Sequence, residues 1–433
     1  MDLRALRLAM FDAAVSRAQP SVCLPPHLPE PPDAGRLLVL ACGKAGATMA
    51  EAVERHYLDG GRIAPERLVG ICVTRHGYGR PLRRIRCVEA GHPVPDEAGL
   101  RATAETLALA RSATAGDLAL VLISGGGSAN WTAPAPGLSI EDKQTLTRAL
   151  LKSGAPIGDI NTVRKHLSRI KGGRLAAALA PARSLSLVIS DVPGDDPSFI
   201  ASGPTVHDRT TAEDALAILD KWAIPVPAPV RTVIRSEAGE TPSPDDPAFA
   251  LAEYRIVARP ADSLAAAAAV AEQAGYQVVA MGDALEGEAR TVAAEHATLA
   301  LSFRDANRRC VLLSGGELTV TVRGDGRGGP NQEYALAFAQ ALEGTNHIAG
   351  LAADTDGTDG GGGDPGDPAG ALFDSGTAAR ARGYGLNPAH FLENNDATTF
   401  FERLEDLVAT GPTGTNVNDF RCVVVDNAGE PGP

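Results

Sequence analysis

Short apolar runs alternate along this chain with stretches in which apolar residues recur every three or four positions. The runs Leu37–Ala41, Leu68–Thr74, Leu118–Ile123 and Leu185–Ser190 predict buried strands. Between them, Ala45–His56, Glu97–Arg111 and Ile140–Lys152 predict amphipathic helices. That strand–helix alternation belongs to a parallel sheet covered on both faces. A similar rhythm returns later, with strands expected at Tyr254–Val257, Gln277–Met281, Cys310–Leu313 with Leu318–Val322, His347–Ala352 and Arg421–Val425. Helices are expected at Leu264–Ala274, Glu286–Arg304 and Asn331–Leu342. The Ala-rich pieces Ala176–Ala182 and Ala265–Ala271 read as packed helix because alanine has the highest helix propensity. Between the halves, Ile224–Pro229 and Glu240–Pro247 are rich in Pro, Asp and Ser. The expectation is an α/β protein of two domains, 1–235 and 236–433, with any hinge near 224–247.

Composition narrows the classes of function. A chain of 433 residues with 44% hydrophobic and 21% charged residues can bury a large core without disulfides. Its net charge of −13 argues against nucleic acid or an anionic membrane as partner, and 4% aromatics leave little for base stacking. The six cysteines form no C-x-x-C pair and read as buried small hydrophobes in a reducing compartment. Leu3, Leu6 and Met10 share one helical face, while Arg4, Arg7 and Asp12 interrupt any signal-peptide core. No stretch is apolar for long enough to span a bilayer, so the expected location is cytoplasmic.

The chemistry concentrates where apolar runs end in small residues. Three such places are Ser124-Gly125-Gly126-Gly127-Ser128, Ser314-Gly315-Gly316-Glu317 and Asp354-Thr-Asp356-Gly-Thr-Asp359-Gly360. Without a Cβ, backbone N–H groups can approach an anion, and carboxylates beside them can hold Mg²⁺ against it. The pattern points to phosphate chemistry at the carboxyl ends of strands. Ala41-Cys-Gly43-Lys44-Ala-Gly46 is a strand, a tight turn and a helix start. It matches the dinucleotide fingerprint only in part and is no P-loop. A lysine beside the positive end of a helix makes sense if an anion lies between them; alone it is an ordinary turn lysine. The next strand ends in Thr74-Arg75-His76, where an NAD enzyme wants an acid for the ribose.

The segment Asn161–Arg174 carries Arg164, Lys165, Arg169 and Lys171 around an apolar face of Val163, Leu167 and Ile170. It is either the wet side of a helix or a steering surface for an anionic substrate. Asp191 ends a strand and is a candidate base or metal ligand, whereas Asp195 and Asp196 read as caps. Arg327, in the Gly-rich loop Arg323–Glu333, has the fork geometry to clamp a carboxylate or phosphoryl oxygen. Asp354-x-Asp356-x-x-Asp359 lacks the spacing of a calcium loop, and Thr410–Asn416 is small and polar enough to line a ligand.

Taken in order, these segments resemble one family. Gly43-Lys-Ala45, Gly91-His-Pro-Val-Pro-Asp96, Ser124–Ser128, Arg164-Lys-His166, Lys171-Gly-Gly173, Ser190–Asp195, Ala201-Ser-Gly-Pro204, Ser314–Glu317, Thr355-Asp-Gly357 and Gly411–Asn416 are similar to the class II glycerate 2-kinases. The resemblance runs from about Lys44 to Phe420. It implies an N-terminal Rossmann-like domain, a C-terminal α/β domain with a MOFRL-type region near 308–425, and an active site in the cleft between domains. It further implies ATP- and Mg²⁺-dependent phosphorylation of D-glycerate at the 2-hydroxyl, giving 2-phosphoglycerate and ADP. Small molecules are then the expected partners, and a homo-oligomer stays open. The alternative activity is an NAD(P)H-dependent hydroxypyruvate reductase.

The resemblance also suggests roles. Lys44, Asp191, Arg327 and Asp356 are the expected catalytic residues, with Asp191, Glu317 and Asp356 as metal ligands. Phosphate or substrate contacts are expected from Gly43, Ser124 to Ser128, Arg164, Lys165, Gly315, Gly316, Asn331, Thr413 and Asn416. Pro330 stands where many relatives carry Arg, so that basic role passes to Arg327 or is absent, and Gly360–Asp367 is unusually glycine-rich.

Overall fold

The apolar run at 37–42 becomes the centre of a sheet because nothing in it tolerates solvent: every residue of Leu37–Cys42 is buried. In the computed structural model, which describes residues 2–360 and 364–427, the chain forms two compact units. One is Pro20–Val257; the other joins Met1–Gln19 to Ala258–Pro433.

The unit Pro20–Val257 is built on strands β1 Leu37–Cys42, β2 Leu68–Arg75, β3 Ile85–Ala90, β4 Leu118–Ile123, β5 Arg183–Ile189 and β6 Ala252–Ala258. Their order is β3-β2-β1-β4-β5-β6. The pairings from β3 through β5 are all parallel, with Leu37 facing Leu68 on one side and Leu118 on the other. The chain winds outward from β1 to β3, then crosses back to β4. The turns after β1 and β4 therefore diverge at a topological switch point, where open α/β sheets bind ligands. Helices Gly46–Glu54 and Glu97–Arg111 follow β1 and β3, and Asp96 caps the latter by accepting from Gly99 N. A helical lobe of Ile140–Lys152, Ile157–His166, Ala212–Lys221 and Ala228–Ile234 packs around Leu146, Leu150, Val163, Leu219 and Val230.

The other unit holds β7 Gln277–Gly282, β8 Gly287–Glu288, β9 Cys310–Ser314, β10 Leu318–Thr319, β11 Ile348–Asp354, β12 Gly370–Asp374, β13 Leu407–Val408 and β14 Asp419–Val425. Its main sheet has the order β13-β12-β11-β14-β9-β7, and β8 pairs with β10 alone. This sheet is mixed: β14 runs antiparallel between β9 and β11, while β7 and β9 are parallel. The carboxyl ends of β9 and β11 consequently share an edge with the start of β14.

Several expectations change. The helix Leu3–Arg17 packs with this second sheet's unit, because Leu6, Met10 and Ala14 bury against Ala267 and Ala271. Arg7 secures it, donating to Gly350 O at 2.8 Å and Phe373 O at 2.6 Å. The compact units, Pro20–Val257 and Met1–Gln19 with Ala258–Pro433, are bounded at other positions than the expected 1–235 and 236–433. Tyr254–Val257 extends the Pro20–Val257 sheet as β6, and the strand expected at Leu318–Val322 shortens to Leu318–Thr319. The stretch expected to hold a hinge instead buries Ile224, Val230 and Val233 in the helical lobe. Gly360–Asp367 falls partly outside the described residues.

Candidate functional site

In the Pro20–Val257 unit, the turns leaving β1 and β4 are tied together. Lys44 N donates to Gly125 O at 2.8 Å, and Ala45 N donates to the Ser124 hydroxyl at 2.9 Å.

 Gly43 has φ +100°, and a Cβ there would lie 2.3 Å from Ser124 O, so only glycine lets the two turns close. Gly126 also has positive φ (+81°), and a Cβ on it would press on His92 at 3.0 Å and on the Lys44 stem at 3.4 Å. Lys44 is half-buried at this junction. Ser124 is fully buried, its hydroxyl engaged by Ala45 N and Cys42 O, so it braces the turn. Gly127 packs close to Cys42 and Ala201, and Ser128 shares a 2.7 Å hydrogen bond with Ser202. Asp191, half-buried, follows β5, at the same carboxyl edge of the sheet.

Beside this edge lies a cluster of cations. Lys171 is 2% exposed and donates from Nζ to Ser128 O at 2.8 Å. Lys143 is 9% exposed, and its Nζ is buried without a hydrogen-bond partner among the described residues. Burial, then the Arg164 charge, pushes the Lys143 ammonium down to about 7. Burial, followed by Lys143 and Arg164, holds Lys171 well below its ordinary value. Lys165, by contrast, is turned into the fold, where it pairs with buried Asp208 at 3.2 Å. The adjacent sequence positions Arg164 and Lys165 thus serve different environments.

The other unit has its own polar centre. Arg421, fully buried, donates to Asp419 at 2.9 Å and to Gly315 O and Gly316 O at 2.5 and 3.0 Å. Asn331 donates to Asp419 at 2.7 Å and, from its backbone N, to Asp359 at 3.0 Å. Asp359 also accepts from Gln332 N at 2.8 Å, capping the helix Pro330–Ala341. Burial, then the neighbouring Asp419 charge, pushes the Asp359 carboxyl up to about 7. Asp356 is fully buried, accepting from Thr358 N at 2.8 Å and Thr358 Oγ1 at 3.0 Å. Thr413 clips the Thr-Asp-Gly loop to the 410–416 loop through Thr355 O at 2.6 Å, and its N–H donates to Asp356 O at 3.0 Å. Asn416 is buried beside them, its Oδ1 accepting from Asn418 N at 3.4 Å.

The geometry therefore brings Gly43, Lys44 and 124–128 together in one unit. In the other it gathers Gly315, Gly316, Asn331, Asp356, Thr413 and Asn416. Arg327 stands apart, an exposed side chain paired with Glu402 at 3.0 Å, and Glu317 is exposed. Among the described residues no group of three or more His, Cys, Asp or Glu side chains is placed to hold a metal ion. Magnesium does not need such a cage, since it is commonly held by one or two carboxylates together with substrate phosphates. Each in its own unit, buried Asp356 and half-buried Asp191 carry hard oxygen donors of the kind magnesium takes.

Sequence reasoning missed Lys143 and Arg421 as site-building residues, and offered Lys171 only within a basic segment. Lys143 carries a readable signal, since it shares a helical face with Leu146 and Leu150. Arg421 does too, as the lone charge in the apolar run Phe420–Val425.

Known proteins resemble this chain over most of its length. A family described as a domain of unknown function, DUF4147, matches residues 6–235, and the MOFRL family matches residues 310–419. The chain is 46% identical over 422 residues to an Agrobacterium vitis protein given a provisional hydroxypyruvate reductase name, covering 96% of this chain and 93% of that one. It is 39% identical over 389 residues to the D-glycerate 2-kinase of Thermotoga maritima, covering 89% of each. The crystal structure of a glycerate kinase from Thermotoga maritima superposes with a TM-score of 0.85 at 36% identity, over 98% of this chain and 99% of that one.

Proposed function

From the premise that this chain belongs to the glycerate 2-kinase family with a MOFRL domain, we propose that it transfers the γ-phosphoryl group of ATP to the 2-hydroxyl of D-glycerate. The observation that carries this reading is Lys44, held where the turns of β1 and β4 diverge by glycines that admit no side chain. A cation fixed at a switch point stabilises charge that develops on a transferring phosphoryl group. The bond between the γ-phosphorus and its bridging oxygen breaks as the glycerate O2–phosphorus bond forms, and ADP leaves with the bridging oxygen.

Asp356 is the proposed acceptor for the hydroxyl proton. Its carboxylate is oriented by the Thr358 turn, and Thr413 fixes its backbone. The 124–128 loop, with Gly315, Gly316, Asn331 and Asn416, is proposed to position anionic groups of the two substrates. Magnesium would neutralise and align the phosphoryl oxygens, with Asp191, Asp356 and Glu317 as its proposed carboxylates. Arg327 is proposed to supply the basic group that Pro330 does not, its exposed pairing with Glu402 leaving the guanidinium at the surface.

The relative named for hydroxypyruvate reductase raises a second reading. The turn after β1 has Ala41 where a dinucleotide fingerprint wants its first glycine, and β2 ends in Thr74-Arg75 without an acid for the ribose. These features favour the kinase. The test is ADP release from MgATP and D-glycerate, with the product passed to enolase in the absence of a mutase. Immediate phosphoenolpyruvate is the expected result. NADPH oxidation with hydroxypyruvate, and no ADP, would replace the kinase with the reductase.

A further inference from the structure

Five of the six cysteines are buried; the sixth, Cys87, is half-buried on β3, the edge strand of the Pro20–Val257 sheet. Its register partner on β2 is Cys72. Partners directly across a parallel ladder send their side chains to the same face. Their backbones run about 4.8 Å apart, a separation within the range that disulfides bridge. The two sulfurs are already in hydrogen-bond contact. Cys42 stands one position beyond Ala41, the partner of Cys72 on β1, so it points to the opposite face, against Gly127.

The two thiols are unlike. Cys72 donates its S–H to Cys87, and that bond, followed by burial, holds the Cys72 thiol well above its ordinary value. The same bond lowers the Cys87 thiol to about 7; partial burial opposes the shift, and the Arg80 backbone N–H adds to it. A reachable sulfur with thiolate character beside a second thiol is the arrangement of a redox-sensing pair. We propose that Cys72 and Cys87 form an oxidation site, which hydrogen peroxide closes into an intrachain disulfide, and that this closure disturbs the Lys44 turn. The Cys87 thiolate attacks one peroxide oxygen, the O–O bond breaks, and the departing hydroxide takes a proton from solvent. The Cys72 sulfur then attacks the sulfur of the Cys87 sulfenic acid. The S–S bond forms as the S–O bond breaks, and the Cys72 proton leaves with the hydroxide as water. The two thiols together lose two electrons, and the peroxide is reduced to two molecules of water.

The link to Lys44 runs through β2. Cys72 Sγ lies 3.4 Å from the point where a Cβ on Gly46 would stand, under the first residue of the helix Gly46–Glu54. Val73 O accepts from Gly43 N at 3.2 Å, and Thr74 Oγ1 donates to Gly43 O at 2.9 Å. Three successive residues of β2 thus hold the turn that carries Lys44. A covalent bond brings two sulfurs closer than a hydrogen bond does, so closure draws Cys72 towards β3 and away from Gly46.

Hydrogen peroxide applied to the full chain, followed by alkylation in denaturant and peptide mapping, tests this. The expected product is a chain lighter by two hydrogens, with the Cys72 and Cys87 peptides linked. It should form faster as pH passes through 7, and dithiothreitol should reverse it. Deuterium uptake across 43–50 should rise on oxidation and return on reduction. Turnover of MgATP with D-glycerate should fall roughly tenfold, as a displaced reacting group causes. Deuterium uptake reads the turn whether or not the chain is a kinase, so failure of that reading leaves this test intact. Cys87→Ser, at a half-buried position, should abolish the link and its consequences. Cys72→Ser should leave Cys87 as a sulfenic acid that dimedone captures. A different cysteine pair linked first, Cys87 running on to sulfinic acid in the wild type without a link, or a Cys72–Cys87 disulfide that leaves exchange at 43–50 unchanged overturns the proposal.

Discussion

Replacing Lys143 with methionine should make the ligand-free protein more stable. Methionine keeps most of the side chain's length and apolar volume and removes an ammonium that is buried without a hydrogen-bond partner among the described residues. That ammonium is pushed from an ordinary 10.5 down to about 7. Each tenfold loss of proton affinity is about 1.4 kcal/mol, so at pH 7 the fold forgoes about 4 kcal/mol by burying it. Water entry and side-chain relaxation reduce what substitution recovers to about 2 kcal/mol. For a unit of this size that is a rise of about 4–8 °C in Tm. The sign with pH is fixed as well. The folded value lies below the unfolded one, so the unfolded chain binds more protons between about 7 and 10.5, and wild-type stability rises with pH across that window. The variant's advantage should therefore be greatest at pH 7 and below, and shrink towards pH 10. Calorimetric melting of both proteins from pH 6 to 10 reads this directly. A variant that melts lower than wild type at pH 7, or an advantage that does not change with pH, would refute the reasoning.

Three further outcomes follow from the same geometry. Lys44→Ala should lower kcat by roughly a hundredfold or more, as loss of a preorganised charge does, with Tm unchanged; turnover within a few-fold of wild type removes Lys44 from catalysis. Gly43→Ala places a Cβ 2.3 Å from the Ser124 carbonyl at φ +100° and should cost about 3 kcal/mol in urea unfolding; a loss below about 0.5 kcal/mol would show that the β1 and β4 turns separate freely. Cys87, half-buried while the other five cysteines are buried, has its thiol lowered to about 7 chiefly by a hydrogen bond from Cys72, and desolvation opposes the shift. It should be the first cysteine alkylated by iodoacetamide, with a rate that climbs as pH passes through 7, and peptide mapping that finds another site modified first would contradict this.

What could be read along the chain, and what could not, divides by the range of the interactions involved. β1 and β4 were legible because a strand buried on both faces must be continuously apolar, and Leu37–Cys42 and Leu118–Ile123 are. The turns after them were legible because positive φ and close approach demand glycine at Gly43 and Gly126. The helix Leu3–Arg17 was legible as a helix and not as part of the unit it joins, since its partners lie more than 200 positions away at Ala267 and Ala271. The Pro-rich stretch misled for a related reason. Proline marks a break in regular structure, yet Pro227 and Pro229 open a short helix whose Val230 and Ile234 are buried.

The candidate site shows the same limit more sharply. Arg164 and Lys165 are adjacent and chemically alike, so sequence pattern gave them one role. Burial separates them: Asp208, 43 positions on, pairs with Lys165, while Arg164 faces the same cavity as Lys143, whose Nζ has no hydrogen-bond partner among the described residues. A charge's function depends on whether the fold supplies its counter-ion, and the counter-ion is set by long-range packing. Where the fold supplies one, as in the Arg421, Asp419 and Asn331 network, the charge organises the loops. Where no such counter-ion stands among the described residues, as around Lys143 and Lys171, burial and the neighbouring positive charge instead push the ammonium groups below their ordinary values.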